Sequence, residues 1–205
     1  MASTLNPTLL TIVPLAPLVG AVAAGLFGKT IGRRGAHWAT VLGVLVSFVL
    51  SALVLKAVVL DGARFDGTVY EWLRLGSLKM EVGFLIDGLS AMMMCVVTFV
   101  SLMVHIYTIG YMADDPGYQR FFAYISLFTF SMLMLVMSNN MLQLFFGWEA
   151  VGLVSYLLIG FWFTRPTAIF ANMKAFLVNR VGDFGFILGI GLIVEIGRAS
   201  CRERV

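Results

Sequence analysis

The sequence predicts an all-α fold: a polytopic membrane bundle of about six transmembrane helices, with one extracytoplasmic β-hairpin between the second and third. Three observations predict it. The 205 residues are 60% hydrophobic and 12% charged, with mean hydropathy +0.95, whereas a soluble domain is about half apolar and about a quarter charged. The apolar residues gather into successive runs of the roughly 20 residues needed to cross a hydrocarbon core. One sizeable polar insertion, residues 61–83, alternates polar and apolar side chains. A formal charge of +3 is too small to argue for nucleic acid, and Cys95 and Cys201 form neither a disulfide framework nor a metal-ligand spacing.

The first span runs from Leu9 to about Phe27, with Pro14 and Pro17 in its first turns. Ala21-Val-Ala23 has the small residues of a signal-peptide cleavage site, but residues 1–8 contain no Lys or Arg; the missing positive segment favours an uncleaved membrane helix. Residues 28–37 form a short basic loop carrying Lys29, Arg33 and Arg34. His37-Trp38 opens the second span, which reaches about Leu60, with Lys56 near enough to its end to snorkel. In the insertion, residues 68–75, then Gly76-Ser77, then 78–82 alternate around a turn and read as a β-hairpin lying on the membrane surface.

Asp87 to about Tyr111 is the third span; its Met92, Met93, Met94 and Met103 suit packing better than ligation. His105 falls near its inner end, either as an interfacial or hydrogen-bonded structural histidine or as a member of a proton relay. Residues 112–120 form a turn broken by Pro116-Gly117. Phe121–Met137, Met141–Phe163 and Ile169–Val194 are the last three spans. The Lys/Arg excess of loops 28–37 and 164–168 puts both in the cytoplasm, and therefore the N-terminus and the hairpin outside.

The fifth span carries one carboxylate, Glu149, well inside. A carboxylate at that depth costs several kcal/mol unless paired, hydrated or protonated, so it marks an ion or proton path by default. At 100° per residue, Ser155, Gly152, Tyr156 and Glu149 share an arc of about 120°, a face suited to another helix or a wet cavity. The competing reading is a structural hydrogen bond or ion pair. In the sixth span Asn179, Arg180 and Asp183 lie within about 100° of one another; Arg180 and Asp183, at i and i+3, can neutralise each other as a structural pair or a functional one. Lys174, about one turn inside the cytoplasmic end, can snorkel or face the fifth span. Gly182, Gly185 and Gly189 form a stripe for close helix packing, and with no strand before them they imply no dinucleotide site.

Gly147-Trp148-Glu149-x-Val-Gly-Leu-x-Ser-Tyr-Leu-Leu-Ile-Gly-Phe161, then Met173-Lys-Ala-Phe and Arg180-Val-Gly-Asp183, resemble the subunit L family of bacterial respiratory complex I (NADH–quinone oxidoreductase). That family lies within a wider antiporter-like family shared with multisubunit cation/proton antiporters. Ser126-Leu-Phe, Ser131-Met-Leu-Met-Leu-Val136, Pro14-Leu-Ala-Pro-Leu-Val-Gly20 and Leu26-Phe-Gly-Lys carry the same resemblance. It implies a proton-pumping subunit of the bacterial inner membrane, driven by quinone reduction elsewhere in the complex. It implies no cofactor in this chain, with FMN, iron–sulfur clusters and quinone in partner subunits, and other membrane subunits of complex I and the lipid bilayer as its surroundings. Glu149 matches the family's essential fifth-helix carboxylate, and Asp183 with Arg180 matches a sixth-helix position linked to activity; Lys174 and His105 complete the candidate proton-transfer set. The family's partner lysine, on a broken seventh helix, has no counterpart among these residues, so the chain is not expected to pump alone. Two readings stand against this one: a subunit of a multisubunit cation/proton antiporter, and a structural membrane scaffold whose buried charges are only ion pairs.

Residues 1–195 read as one domain. From about Ile196, the sequence Ile-Gly-Arg-Ala-Ser-Cys-Arg-Glu-Arg-Val205 breaks the apolar pattern, does not resemble the family, and looks like the translation of a short-read sequencing adapter. Resequencing the genomic locus is expected to diverge from this tail near codon 196; genomic DNA that encodes it would make it a true basic tail.

Overall fold

A computed structural model of the chain describes the backbone of residues 5–75 and 78–202, and side chains outside 73–80 and 197–202. The turn expected at Gly76-Ser77 lies outside the described residues. The elements run α1 (Pro7–Leu26), α2 (Gly28–Asp61), β1 (Phe65–Leu75), β2 (Leu78–Ile86), α3 (Gly88–Tyr111), α4 (Tyr118–Val136), α5 (Met141–Ile159) and α6 (Pro166–Arg202). All six helices are long and apolar enough to cross a membrane. The chain falls into two compact units, Met1–Val154 and Ser155–Val205.

In the first unit α1 packs on α2 and α4, α2 on α3, and α3 on α4. α1 begins at Asn6, whose side chain accepts from the Thr8 N–H at 3.0 Å, with Pro7 in the first turn. Pro14 and Pro17 then sit inside the helix. Proline has no N–H, so Pro17 leaves the Val13 carbonyl without its i+4 donor. The Ser47 hydroxyl of α2 donates to that carbonyl, and the Ser126 hydroxyl of α4 donates to the Pro17 carbonyl at 2.8 Å. Where no water is available, neighbouring hydroxyls are what make helix-interior prolines tolerable. Ser47 and Ser126 are fully buried. The α1–α2 seam is also tight: a Cβ on Gly43 would stand 2.6 Å from the Ala16 carbonyl oxygen.

The basic segment 28–37 is helical rather than a loop. Its single break is Gly32, at φ 76° and ψ −180°, a conformation open to glycine and closed to most residues. A short turn precedes the break and the long helix follows it. Arg33 is held against the α3–α4 connection, donating to the Ala113 carbonyl at 2.5 Å and to the Asp115 carbonyl at 3.2 Å, with its guanidinium 5.7 Å from the Tyr118 ring centroid. The Tyr118 hydroxyl meets His37 Nδ1 at 3.0 Å. These contacts put segment 28–37 and residues 112–118 at the same end of the bundle.

The hairpin is antiparallel, from Phe65 opposite Ile86 to Leu75 opposite Leu78, with register shifts between Thr68 and Tyr70 and between Glu71 and Leu73. It is longer than the alternation predicted, and it does not simply lie on a surface. The β2 positions Phe84 and Ile86 point to one face and are buried in a cluster with Leu10, Val13, Val54, Ala91, Met94, Leu133 and Met137. The hairpin root therefore closes one end of the helix bundle, while Tyr70 and Trp72 further out are exposed. Met94 fills this core; Met92, Met93 and Met103 face outward. α3 is capped by Asp87, whose carboxylate accepts from the Ser90 N–H at 2.7 Å; that hydrogen bond holds the Asp87 carboxyl below its ordinary value.

The fifth helix ends at Ile159, earlier than the apolar run to Phe163 suggested. Turn hydrogen bonds from Gly160 to Tyr156, Phe161 to Leu158 and Arg165 to Trp162 follow it. Pro166 then opens α6 at the position where its missing N–H costs nothing. α6 continues through residue 196 to Arg202; residues 203–205 of the adapter-like tail lie outside the described residues.

Ser47→Ala is expected to destabilise the full-length protein by about 1 kcal/mol, by orphaning the Val13 carbonyl. In a Pro17→Ala background, which restores the backbone donor, the same change should cost close to nothing. A double-mutant cycle read by reversible detergent unfolding checks the coupling; equal costs in both backgrounds would refute it.

Candidate functional site

The five candidate proton-transfer residues lie on three helices. His105 is on α3 and Glu149 on α5, both in the first unit; Lys174, Arg180 and Asp183 are on α6 in the second. Arg180 and Asp183 are in direct contact. Arg180 Nε lies 3.2 Å from Asp183 Oδ2, one helical turn apart as the spacing predicted. Asp183 is 7% exposed, and the Arg180 guanidinium also stacks 5.0 Å from the centroid of Phe176, whose ring meets Tyr156 at 5.2 Å. A carboxylate this buried is tolerable because the Arg180 cation beside it balances its charge. Lys174 and Asn179 are exposed on the same helix.

Glu149 is half-buried. The α5 residues buried in the first unit are Gln143, Gly147 and Val154, and a Cβ on Gly147 would stand 2.8 Å from the Leu135 Cα of α4. At 100° per residue Glu149 points about 120–160° away from that stripe. The carboxylate is therefore not on the face that α5 presses against α4; it shares the opposite side with half-buried Gly152, Ser155 and Tyr156.

His105 is fully buried within the protein. Its Nδ1 donates to the Ser101 carbonyl at 2.8 Å, which fixes the tautomer and leaves Nε2 as the unprotonated nitrogen. Ser101 in turn meets the Thr129 hydroxyl of α4 at 2.5 Å, and Phe122 lies edge-on to the imidazole at 6.0 Å between centroids. Nε2 is buried without a hydrogen-bond partner among the described residues.

Sequence reasoning passed over the entry to α5. Asn140 caps the helix by accepting from the Gln143 N–H at 2.8 Å, and its Nδ2 donates to the Glu81 carbonyl of β2 at 3.0 Å. Gln143 Oε1 accepts from the Gly83 N–H at 2.9 Å. Beside them Leu85 N donates to the Met137 carbonyl at 3.0 Å, and Phe84 bridges Ser138. The helix that carries Glu149 is thus clamped to the hairpin at its first turn. Asn-x-x-Gln before an apolar run is a capping-box signature; it would have located the cap, though not the strand that Gln143 turns to.

Two family models match the chain: "NADH-Ubiquinone oxidoreductase (complex I), chain 5 N-terminus" over residues 72–122, and "NADH:quinone oxidoreductase/Mrp antiporter, TM" over residues 138–199. NADH-quinone oxidoreductase subunit L of Neisseria meningitidis is 68% identical over 197 residues, which are 95% of this chain and 29% of that protein. Subunit L of Rhodobacter capsulatus is 47% identical over 88% of this chain and 26% of its own length. NADH-ubiquinone oxidoreductase chain 5 of Marchantia polymorpha is 48% identical over 87% of this chain and 27% of its own. The chain thus spans less than a third of the length of these curated relatives. Among solved structures, a chain of the archaeal membrane-bound sulfane sulfur reductase superposes with TM-score 0.78 at 17% identity, over 90% of this chain and 36% of that one. A chain of the Mrp complex from Dietzia sp. DQ12-45-1b superposes with TM-score 0.73 at 24% identity, over 91% and 19%. Both superpositions speak to the fold alone.

Gln143→Ala is expected to raise hydrogen exchange at the Gly83 amide by about ten- to a hundredfold, the equivalent of one lost buried hydrogen bond. Exchange mass spectrometry of peptides spanning 80–88 in the full-length protein measures it; an unchanged rate would mean that Gln143 does not hold the strand.

Proposed function

Because the chain belongs to the antiporter-like subunit family that these two models describe, we propose that it forms the N-terminal part of a proton-translocating subunit of a bacterial NADH–quinone oxidoreductase. It sits in the inner membrane among other membrane subunits of the complex, with its N-terminus and hairpin on the extracytoplasmic side. Redox chemistry belongs to partner subunits that hold FMN, iron–sulfur clusters and quinone; this chain carries no cofactor and does not work alone. The observation that carries the reading is the 68% identity to subunit L across 95% of the chain, in a segment whose fifth helix bears Glu149. The Mrp likeness supports a shared architecture, and at 24% identity it favours the antiporter reading less than the subunit L identity favours this one.

In this reading Glu149 takes and releases the translocated proton. A unit charge brought to about 4 Å at an effective dielectric constant of about 20 changes a carboxylate's energy by about 4 kcal/mol, or about a thousandfold in proton affinity. A charge that moves within the complex is therefore enough to load and empty this side chain. Arg180 and Asp183 form a pair that can close, with mutual neutralisation, or open to present a charge. Lys174 supplies a mobile cation on the same helix, and His105 a buried imidazole with one nitrogen able to accept a proton.

Glu149→Gln, in the full-length subunit assembled in its complex and reconstituted in vesicles, is expected to abolish most NADH-driven proton pumping while the complex remains assembled. Lys174→Ala should lower it by less. Pumping at the wild-type level in Glu149→Gln would overturn the role given to that carboxylate.

A further inference from the structure

Beside the hairpin, apart from the buried charges, the first unit forms a half-open cavity of about 480 Å³. Tyr70 and Trp72 of β1, Phe130 and Met134 of α4, and Gln143 and Phe146 of α5 form its main walls. The volume falls in the range of small-molecule sites, and the lining is nearly all carbon. Gln143 is the exception. It is 7% exposed, and because its Oε1 accepts from the Gly83 N–H, the free end of the amide is the nitrogen. That Nε2 is buried with no hydrogen-bond partner among the described residues. A buried amide donor calls for an acceptor.

The occupant must therefore be hydrocarbon along most of its length and offer a hydrogen-bond acceptor at one end. Water fills such a space poorly, since each molecule needs two to four polar partners. The other polar groups on the walls are Ser131, whose hydroxyl is donated to the Leu127 carbonyl at 3.0 Å, half-exposed Glu81, and the hydroxyl and indole N–H of exposed Tyr70 and Trp72. Depth narrows the choice further. Gln143 lies in the first turn of α5, tied to the strand root, and exposed Tyr70 and Trp72 (62% and 64%) stand beyond it, as amphipathic rings do at the level of lipid headgroups. Glu81 disfavours a free fatty-acid carboxylate and leaves a neutral ester acceptable.

We propose that this cavity holds one acyl chain of a membrane glycerophospholipid, with its ester carbonyl accepting from Gln143 Nε2 and its methylenes against Phe130, Met134 and Phe146. The lipid fills the space between the hairpin and the α4–α5 pair and completes the hydrogen bonding of the clamp.

The test uses the full-length protein assembled in its complex, in vesicles containing phosphatidylcholine with a diazirine near the ester of one chain. After photolysis, mass spectrometry is expected to find adducts concentrated on residues 130–134 and 142–150. Ala150→Phe, which fills the cavity from the α5 wall, should remove them while adducts on the outward face of α3 persist. Gln143→Glu keeps an oxygen for Gly83 but replaces the donor with an acceptor, and should also lose them; it carries the test if Ala150→Phe does not assemble. Cavity adducts no denser than those on α3, as when polypeptide fills the space, or adducts unchanged in the variants, would overturn the proposal. So would labelling by a diazirine fatty acid but not by the phospholipid.

Discussion

The bundle depends on one constraint: inside hydrocarbon, every backbone carbonyl that loses its helical donor must find another. Pro17 withdraws the donor for Val13, and the replacement comes from Ser47 on α2. One residue pair thereby couples a break in α1 to the position of its neighbour. Ser126 on α4 reaches the Pro17 carbonyl from the other side, so two prolyl-adjacent carbonyls fix three helices. Gly43, with no room for a Cβ against Ala16, lets α2 come close enough for Ser47 to reach. A sequence that kept the prolines but lost these hydroxyls would keep its hydropathy and lose the reason for its packing.

The helices were legible because they are long apolar runs, and the hairpin because its residues alternate. The boundaries were less so. Segment 28–37 looked like a loop from its Lys and Arg, yet charged residues with good helix propensity continue a helix readily, and only Gly32 breaks it. At the other end, Phe161-Trp162-Phe163 extended the apolar run past the point where Gly160 and the turn bonds had ended α5. Hydropathy records transfer to lipid, and it does not record where the backbone stops being helical.

Site residues were legible one by one and less so in their relations. The i, i+3 spacing of Arg180 and Asp183 foretold their contact because both lie on one helix. The α5 wheel grouped Glu149 with Gly152, Ser155 and Tyr156, but it could not say that Gln143, Gly147 and Val154 would be the stripe turned to α4. That choice is set by Leu135 on the preceding helix and by Gly83 on a strand far earlier in the chain. Gln143 itself looked like an ordinary polar residue at a helix entry. Its two amide ends are distinguished only by a strand about 60 residues earlier.

The bridge between Phe84 and Ser138 also bears on biogenesis. It closes a loop of about fifty residues containing two complete spans, and loop-closure entropy grows only slowly with such length. The chain emerges N-terminal end first, so the hairpin and α3 precede the α4–α5 connection into the membrane. The last-formed of these contacts then serves as a checkpoint: it can close only if α3 and α4 have both crossed, or neither has, so that the connection lies on the hairpin's side. A span that failed to insert would leave residues 138–143 on the wrong side of the bilayer, with Gly83 and Glu81 unlatched. The two-stranded ribbon thus reads out the parity of membrane crossings.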